Sequence, residues 1–486
     1  MKLNRILFGI LMLFALNSCE EFLEEDPSRA GGVLPEDVFS SYDKSYAALV
    51  GTYDALSHYY FDGLSSVICA DVIGDDMLIN SEGNYNWFVS TYQLNVLANY
   101  NDAYNPWRRG YAVINNANNL IAYAGGIADA TEEQINYLTG QAYAVRAYTY
   151  LRLVQMYAPA YIADPLAPQG LILRTAPSDS ESPDLGRSTV QETYDLILED
   201  LEEAEKLLDY DEFYKGFLDK RTVHALMART HLLMENWEEA SQYAEMAILG
   251  SGEEGSEMEL MIKEEWVAGF AHQTTESMFV LDYQIEDNNV YLTIPSFYYP
   301  AFGYSSVRAN DKFVEMFDAA DYRRNVLAND LTWDDGSLID PDKNWMILKF
   351  GHDSQVGNAK STKIRVSEMY LIWAEAEAEL GNYNQAQSLV DNVIKRSNSL
   401  ADRPSVEGEE LINLILDERR RELFGEGFRW FDIKRRLQPY KREGDHWVKF
   451  DFGPNDADYY RLTFPIPQYE IDANTALTEA DQNIGY

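Results

Sequence analysis

Apolar residues recur at helical spacing through several segments of the chain. In the segment 189–208, apolar side chains fall three or four residues apart and acids fill the other positions, which is typical of an amphipathic helix. A helix-start signal precedes it, because Thr189 is followed by Glu192 three residues later. The segment 141–157 shows the same apolar spacing. The pattern therefore predicts a largely helical protein.

Two segments share an arrangement of helix, short turn and helix. The segments 221–249 and 366–396 both begin their second helix with an aromatic residue followed three positions later by alanine. These pairs are Trp237 with Ala240 and Tyr383 with Ala386. The arrangement resembles the tetratricopeptide helical hairpin, in which small residues let paired helices approach closely. The two copies lie far apart, which indicates hairpins interrupted by long insertions.

The insertions have a different composition from the helices. Residues 58–119 and 283–310 are rich in Tyr, Trp, Asn, Gly and Ser. Long irregular loops in a compact protein are usually functional or disordered, and the aromatic content argues against disorder. Tyr and Trp combine a flat apolar body with a polar group, which suits a surface that binds a ligand.

Composition narrows the possible functions. The 486 residues include 39 Lys and Arg against 80 Asp and Glu, a formal net charge of −41, and 46% are hydrophobic. That apolar content is typical of a folded chain. The acid excess excludes nucleic-acid binding, which needs clustered cations, and disfavours docking on an anionic membrane surface. It also favours neutral over polyanionic ligands.

The N-terminus has the pattern of a secretory signal. Lys2 and Arg5 precede the apolar run 6–16, which is shorter than the roughly 20 residues needed to span a bilayer. Cys19 follows Leu-Asn-Ser, which resembles the bacterial lipobox and implies lipidation of Cys19. The acids after it resemble the surface-export signal of Bacteroidetes lipoproteins. An ordinary signal peptide is the alternative.

Searches for catalytic and metal-binding patterns find none. The six histidines include no His-Glu-x-x-His, and the sequence contains no Cys-x-x-Cys and no Gly-x-Ser-x-Gly. Residues 250–255 match Gly-x-Gly-x-x-Gly but follow a predicted helix and carry two glutamates, so they predict a helix C-cap and loop. We expect no cofactor and no metal. A glycosidase remains an alternative, although no acid stands out among eighty.

Three stretches in the C-terminal half carry motifs. Residues 363–376 read KIRVSEMYLIWAEA, and residues 417–435 read DERRRELFGEGFRWFDIKR. Residues 464–474 read FPIPQYEIDAN, and the chain ends in NIGY. These stretches resemble the SusD/RagB family of Bacteroidetes outer-membrane lipoproteins, in which a proline is frequent at the position of Ile484.

The second of these motifs also has a structural interpretation. Its charged residues fall at helical positions, where they can pair with acids on neighbouring helices. Gly425 and Gly427 predict the turn that ends this helix. The charged residues are Arg419, Arg420, Arg421 and Glu422.

The resemblance implies a mostly α fold, with tetratricopeptide-like hairpins in a right-handed superhelical scaffold. Long loop insertions and a few short strands would carry the ligand site. The implied order is a lipoprotein signal peptide (1–18), an acidic lipidated tether (19–40), an N-terminal helical region with an aromatic insertion (41–270) and a C-terminal region with a helical hairpin and a middle insertion (271–486).

The resemblance also implies a function without catalysis. SusD-like proteins lie on the outer face of the outer membrane, capture oligosaccharides, and deliver them to a SusC-type TonB-dependent transporter. A pyranose offers an apolar face to an aromatic ring and hydroxyls to Asn, Asp and Arg, which the insertions supply. Peptide capture, as in the RagB branch, and a helical scaffold that binds only proteins are the alternatives.

The resemblance further implies that the ligand-binding residues lie in the loops between the early helices and in the middle insertion, and position there selects the candidates. The polar candidates, which could contact sugar hydroxyls, are Asp75, Asp76 and Arg108. The other candidates are Tyr85, Asn86, Trp87, Trp107, Tyr298 and Tyr299.

Overall fold

The computed structural model describes most of the chain after the N-terminal segment. Cys19, the signal peptide and most of the tether lie outside the described residues. The described residues are 34–80, 84–179, 181–211, 214–283, 289–299, 303–332, 336–337, 344–350, 359–399 and 404–486.

Helices form most of the regular structure, as the sequence predicts. The first half contains α1 (Pro35–Val38), α2 (Tyr42–Ser57), α3 (Ser65–Ile73), α4 (Val89–Tyr92), α5 (Asn101–Tyr123), α6 (Glu132–Tyr157), α7 (Val190–Leu207), α8 (Lys220–Met234) and α9 (Trp237–Leu249). The second half contains α10 (Lys263–Ala268), α11 (Ile294–Tyr298), α12 (Asp311–Val314), α13 (Val366–Glu379), α14 (Tyr383–Ser397), α15 (Glu409–Leu423), α16 (Arg429–Arg435) and α17 (Gln468–Ala473).

The long helices pack in chain order. From α5 to α9, each helix packs on the next one along the chain, and α13 packs on both α14 and α15. The predicted hairpins are the pairs α8/α9 and α13/α14. Helix α9 also packs against α13. Two copies separated by more than a hundred residues are therefore adjacent in space, which extends the stack of helices.

Helix boundaries follow the capping signals in the sequence. At the start of α7, the Glu192 N–H donates to Thr189 Oγ1 (3.1 Å), and the Thr189 N–H donates to Glu192 Oε2 (2.7 Å). This reciprocal capping box satisfies two helix-end donors. At the end of α9, the Gly250 N–H donates to Met246 O (3.0 Å) and the residue has φ +66°. Both predicted helix ends are confirmed.

Short antiparallel strands join the two insertions. Strands β1 (Met77–Ile79) and β3 (Val307–Ala309) pair with Leu78 opposite Arg308. Because β1 belongs to the first insertion and β3 to the second, this pairing brings the aromatic stretches together. The sheet continues through β5 (Trp345–Ile347) to β4 (Leu327–Ala328), in the order β1-β3-β5-β4. The remaining strands are β2 (Ser277–Leu281), β6 (Ser361–Arg365), β7 (Tyr440–Lys441) and β8 (Asp451–Phe452).

The second family-like motif lies in the core as a set of buried ion pairs. Glu422 of α15 is 0% exposed and accepts from three arginines. Its carboxylate lies 2.7 Å from Arg365 Nη1, 2.7 Å from Arg323 Nη1 and 2.5 Å from Arg396 Nη2. We call this group the ion-pair centre; its members are Glu276, Arg323, Arg365, Arg396, Glu422 and Glu426.

The other charged residues of this motif pair as well. Arg419 reaches Asp432 of α16 (2.8 Å), so the prediction of pairing between helices is confirmed there. Arg421 pairs with Glu418 of its own helix instead (2.9 Å). Gly425 and Gly427 adopt φ +77° and +81° just after α15, which confirms the predicted turn. At Gly427, a Cβ would lie 2.9 Å from the backbone of Val67, so only glycine permits this approach.

Candidate ligand-binding groove

A groove of about 220 Å³ opens within the first aromatic insertion, between its loop residues and the start of α5. We call it the aromatic groove. The buried side chains of Cys69 and Phe88 lie at its base. Its lining residues are Tyr60, Ser65, Cys69, Tyr85, Asn86, Trp87, Phe88, Asn101, Asp102 and Asn105. Rings and short polar side chains therefore share one concave surface, as in many small-ligand sites.

Four half-buried rings form a ladder, of which Tyr60 and Trp87 line this groove. His58 stacks on Tyr59, with ring centroids 4.3 Å apart and an interplanar angle of 27°. Tyr60 lies 5.4 Å from His58, and its ring faces Trp87 at 6.5 Å with an interplanar angle of 29°. We call His58, Tyr59, Tyr60 and Trp87 the aromatic ladder. Near-parallel rings of this kind present flat apolar faces to a ligand.

The second insertion supports the ladder from behind. Phe297, on α11, is fully buried and meets Trp87 edge-on, with centroids 6.3 Å apart at 76°. Tyr304 packs on Phe297 at 4.8 Å and meets the exposed Tyr85 edge-on at 6.1 Å. The pairing of β1 with β3 makes this contact possible. Residues more than two hundred positions apart thus hold one wall.

An unusual backbone presents Trp87. Tyr85, Asn86 and Phe88 have φ values of +55°, +65° and +57°, in the left-handed region that few non-glycine residues adopt. Asn84 is buried and stabilises this turn: its Oδ1 accepts from the Asn86 N–H (2.9 Å), and its Nδ2 donates to Trp87 O (3.1 Å). Such backbone persists only where surrounding contacts over-determine it, and it is common at ligand sites.

The opposite wall is polar and comes from the first turns of α5. Asn101 and Asn105 offer both amide donors and carbonyl acceptors, which match the hydroxyls of a sugar. Asp102 Oδ2 accepts from Thr91 Oγ1 (2.7 Å), and burial raises the pKa of this carboxyl. Within the described part of the chain, no side chain caps the N-terminus of α5.

Two arginines lie beyond this wall on α5. Burial lowers the pKa of His58 to about 4, and the positive charges of Arg109 and Arg108 add to the effect. His58 is therefore neutral at neutral pH, and its Nδ1 accepts from the Tyr60 N–H (3.0 Å). Arg108 is exposed, and its guanidinium lies 5.8 Å from the Tyr104 ring centroid.

The structure brings together only some of the residues selected from the sequence. Tyr85, Asn86 and Trp87 line the groove, whereas Arg108 is not a lining residue and lies one helical turn beyond Asn105 on α5. Tyr299 is half-buried at the end of α11 and does not line the groove, so its role remains a prediction.

The selection of Trp107 and Tyr298 requires correction. Trp107 is only 2% exposed, and its Nε1 donates to Glu470 Oε2 (3.0 Å). Tyr298 is fully buried, and its hydroxyl donates to Asp71. Neither ring has a face free to stack on a ligand, because each lies on the core side of its helix.

The two aspartates selected as hydroxyl partners are also corrected. Arg429 Nε lies 2.6 Å from Asp75 Oδ1, and Arg420 pairs with the buried Asp76. Burial alone would raise the pKa of Asp75, but Arg429 and Arg420 outweigh it and hold that pKa far below its usual range. Both carboxylates are committed to the family-like motif, so they do not serve the groove.

Sequence reasoning missed three of the four ladder residues and the whole polar wall. His58, Tyr59 and Tyr60 are three consecutive ring residues at the end of α2, a signal that was available within the aromatic insertion. Asn101 and Asn105 were harder to select, because the sequence does not show which face of α5 meets the ladder.

Comparisons with known proteins place this chain in a family. The model described as "SusD family" matches residues 235–486, more than half of the chain. A second model, described as "Starch-binding associating with outer membrane", matches residues 21–232. The chain belongs to the SusD family.

Relatives agree along nearly the whole length. The SusD-like protein P2 of Formosa agariphila is 26% identical over 518 aligned positions, which cover 98% of this chain and 95% of that protein. The crystal structure of a SusD superfamily protein from Bacteroides vulgatus is 28% identical, with a TM-score of 0.80 over 92% of this chain and 99% of its own. A SusD superfamily protein from Bacteroides thetaiotaomicron has a TM-score of 0.81 at 25% identity, over 91% and 99% of the two chains.

Among the described residues, no helix combines the length and apolar character needed to cross a bilayer. The described part of the chain also contains no cluster of three or more His, Cys, Asp or Glu placed to hold a metal ion.

Proposed function

We propose that this chain is a lipid-anchored glycan-binding protein on the outer face of the outer membrane. It captures oligosaccharides in the aromatic groove and delivers them to a SusC-type TonB-dependent transporter. The observation that carries the proposal is the near-parallel arrangement of Tyr60 and Trp87 at the groove, 6.5 Å apart. The description of the N-terminal family model, which names starch binding and the outer membrane, supports it.

A sugar chain fits the chemistry of the groove in a specific way. The apolar faces of successive pyranose rings would lie on Tyr60 and Trp87, since ring faces match those C–H surfaces. Hydroxyls at the edges of the sugars would meet Asn101 and Asn105, which can both donate and accept. The fixed turn at 84–88 presents Trp87 before the ligand arrives, so little conformational entropy is lost on binding.

The acids that line the groove favour binding of a sugar over its hydrolysis. Glycoside hydrolysis uses two carboxyl groups on either side of the scissile bond. Among the described residues, Asp102 is the one acid that lines the groove, and it already accepts from Thr91. We therefore propose capture, with the sugar released intact. Turnover of a glycan by the purified chain would contradict this.

Anchoring relies on the sequence of the N-terminal segment. The lipobox-like residues before Cys19 and the acids after it support lipidation and export. We expect labelled palmitate to be incorporated into the expressed chain and lost in a Cys19→Ala variant. Delivery to the transporter rests on family membership, and co-purification of the two proteins would test it.

The ring faces of the ladder provide the direct test. Titration calorimetry of the mature chain against a panel of oligosaccharides should identify a ligand. In Trp87→Ala we expect its affinity to fall by roughly 30-fold, the effect of removing a central aromatic anchor worth about 2 kcal/mol. Trp237→Ala is the matched control, because Trp237 is also half-buried but lies at the start of α9.

Three outcomes separate the alternatives. Equal weakening in both tryptophan variants would mean that the loss is not local to the groove. Unchanged affinity in Trp87→Ala would exclude the groove as the site. Binding of peptides and not glycans would replace the sugar by a peptide as the captured nutrient.

A further inference from the structure

Two arginines one helical turn beyond the aromatic groove lack acidic partners among the described residues. Arg108 and Arg109 follow Asn105 by three and four positions on α5, so they lie on the same side of this helix one turn further along. In the described part of the chain, neither forms an ion pair, and Arg109 Nε is buried without a hydrogen-bond partner. A buried donor left unsatisfied costs free energy, which a ligand acceptor would recover.

The positive charge of these arginines reaches the aromatic ladder. Both contribute to the lowered pKa of His58, after the larger effect of burial. Arg109 also opposes the rise that burial causes in the pKa of Tyr59. Since His58 stacks on Tyr59 and Tyr60, the same potential acts where a sugar would lie.

Nearby acids do not cancel this charge. Asp102 accepts a hydrogen bond from Thr91, and burial raises its pKa, which disfavours the ionised form. Asp62, just after the ladder, is fully buried and already pairs with Arg152 (3.1 Å) and Lys363 (3.8 Å). The N-terminus of the 23-residue helix α5 adds a partial positive charge at the groove. Among the described residues around the groove, the local balance is therefore cationic.

We propose that the aromatic groove selects anionic oligosaccharides, and that Arg108 and Arg109 bind the carboxylate or sulfate group of the sugar. Guanidinium groups present planar, paired donors that match either anion. The inference rests on the proposed function, because it assigns a charge class to the glycan bound there. It reverses the expectation of a neutral ligand that the acidic composition gives.

The net charge of −41 does not oppose this selection at close range. At physiological ionic strength, charges more than about 8 Å apart in solvent are largely screened. The distant acids of the helical faces therefore weaken the approach of a polyanion only slightly. Groups in direct contact with the bound sugar decide which charge it carries.

Matched pairs of ligands test the proposal by calorimetry on the mature chain. One pair is an oligogalacturonate and its methyl ester, and the other is a sulfated galactan oligosaccharide and its desulfated parent. We expect one anionic member to bind at least ~10-fold more tightly than its neutral partner, the contribution typical of hydrogen bonds to a charged group. The pair that shows the preference identifies carboxylate or sulfate.

Charge removal should abolish the preference and leave stacking intact. In the double variant R108Q/R109Q, we expect the anionic ligand to weaken to the affinity of its neutral partner, which itself should change little. Arg324→Gln is the control, because Arg324 also lies over a ring, Trp345 at 4.6 Å, on the other side of the small sheet from β1. Added salt should weaken only the anionic ligand.

The outcomes separate this inference from the proposed function. Equal or tighter binding of the neutral members, still lost in Trp87→Ala, would overturn the anionic preference and keep glycan capture. A preference that persists in the double variant and is insensitive to salt would also overturn it. Absence of binding by every glycan would overturn both proposals.

Discussion

The aromatic groove and the ion-pair centre are both built from side chains far apart in sequence. The groove exposes aromatic rings to solvent, whereas the ion-pair centre buries charged groups that pair with one another. Rings of the ladder remain half-exposed on irregular loops, and Tyr60 and Trp87 line the groove with ring centroids 6.5 Å apart. The ion-pair centre is closed, since Glu422 is 0% exposed and three guanidinium groups surround it. One region is open to a partner, and the other has already satisfied its own groups.

The difference separates the residues that carry the family resemblance from those that line the aromatic groove. The motif around Glu422 contains many charged residues, which could suggest a site, yet these residues hold α13, α14 and α15 to the strands. The ladder carries no motif, because many different ring positions can form a stacking surface. We therefore expect changes in the ion-pair centre to affect stability, and changes in the ladder to affect binding.

One buried carboxyl joins the two regions. Asp71, at the end of α3, accepts from the Gly427 N–H of the motif (3.2 Å) and from the Tyr298 hydroxyl. Tyr298 belongs to α11, whose Phe297 supports Trp87. Asp71 therefore links the family-like motif to α11, which forms the rear wall of the groove.

The largest effect is expected in the ion-pair centre. Burial raises the pKa of Glu422, but Arg396, Arg365 and Arg323 outweigh it and hold that pKa well below its usual range. In Glu422→Gln, these guanidinium groups lose their shared charge, so we expect the free energy of unfolding to fall by about 3–5 kcal/mol. Urea unfolding followed by tryptophan fluorescence measures the change.

Two companion variants make this test specific. Glu253→Gln removes an exposed acid after α9 and should leave stability within ~0.5 kcal/mol of the wild type. Trp87→Ala should be far less destabilising than Glu422→Gln while it weakens ligand binding. If Glu422→Gln instead weakened binding without loss of stability, the separation between the two regions would be wrong.

A smaller, pH-dependent effect is expected at the carboxyl that joins them. Burial raises the pKa of Asp71 to about 7, against roughly 4 in an unfolded chain. As pH rises through that window, the folded state keeps a proton that the unfolded state has lost, so this group lowers stability. Asp71→Asn cannot ionise. We therefore expect the variant to gain stability relative to the wild type as pH rises, by at most about 1.4 kcal/mol per unit.

Urea midpoints measured across this pH range provide the readout. Asp330→Asn, which removes an exposed acid, serves as the control and should track the wild type. If the stability of Asp71→Asn differed from that of the wild type by the same amount at every pH, the pKa of Asp71 would not be raised in the folded chain. Ligand affinity of the variant at pH 8 would then reveal whether the Tyr298 contact also holds the rear wall.

The helix ends and the buried ion pairs could be predicted from the sequence more fully than the residues of the groove. Capping residues such as Thr189 and Gly250 act locally, so the sequence marks helix ends directly. For Arg419 and Glu422, the sequence predicts the charge of the pairing partner but not its identity, because buried charges require opposite charges. Trp107 and Tyr298 could not be separated from Trp87, since burial of a ring depends on which helix face meets the core.

The smallest effect is expected for an exposed ion pair at nearly the same distance as those in the core. Lys312 Nζ lies 2.8 Å from Glu315 Oε2 beside α12, while Arg365 Nη1 lies 2.7 Å from Glu422 Oε1. The side chains of Lys312 and Glu315 are 53% and 62% exposed, so water and salt screen their attraction. We expect Lys312→Ala to leave the urea midpoint unchanged within error. A loss approaching that of Glu422→Gln would mean that distance, and not burial, sets the strength of ion pairs in this protein.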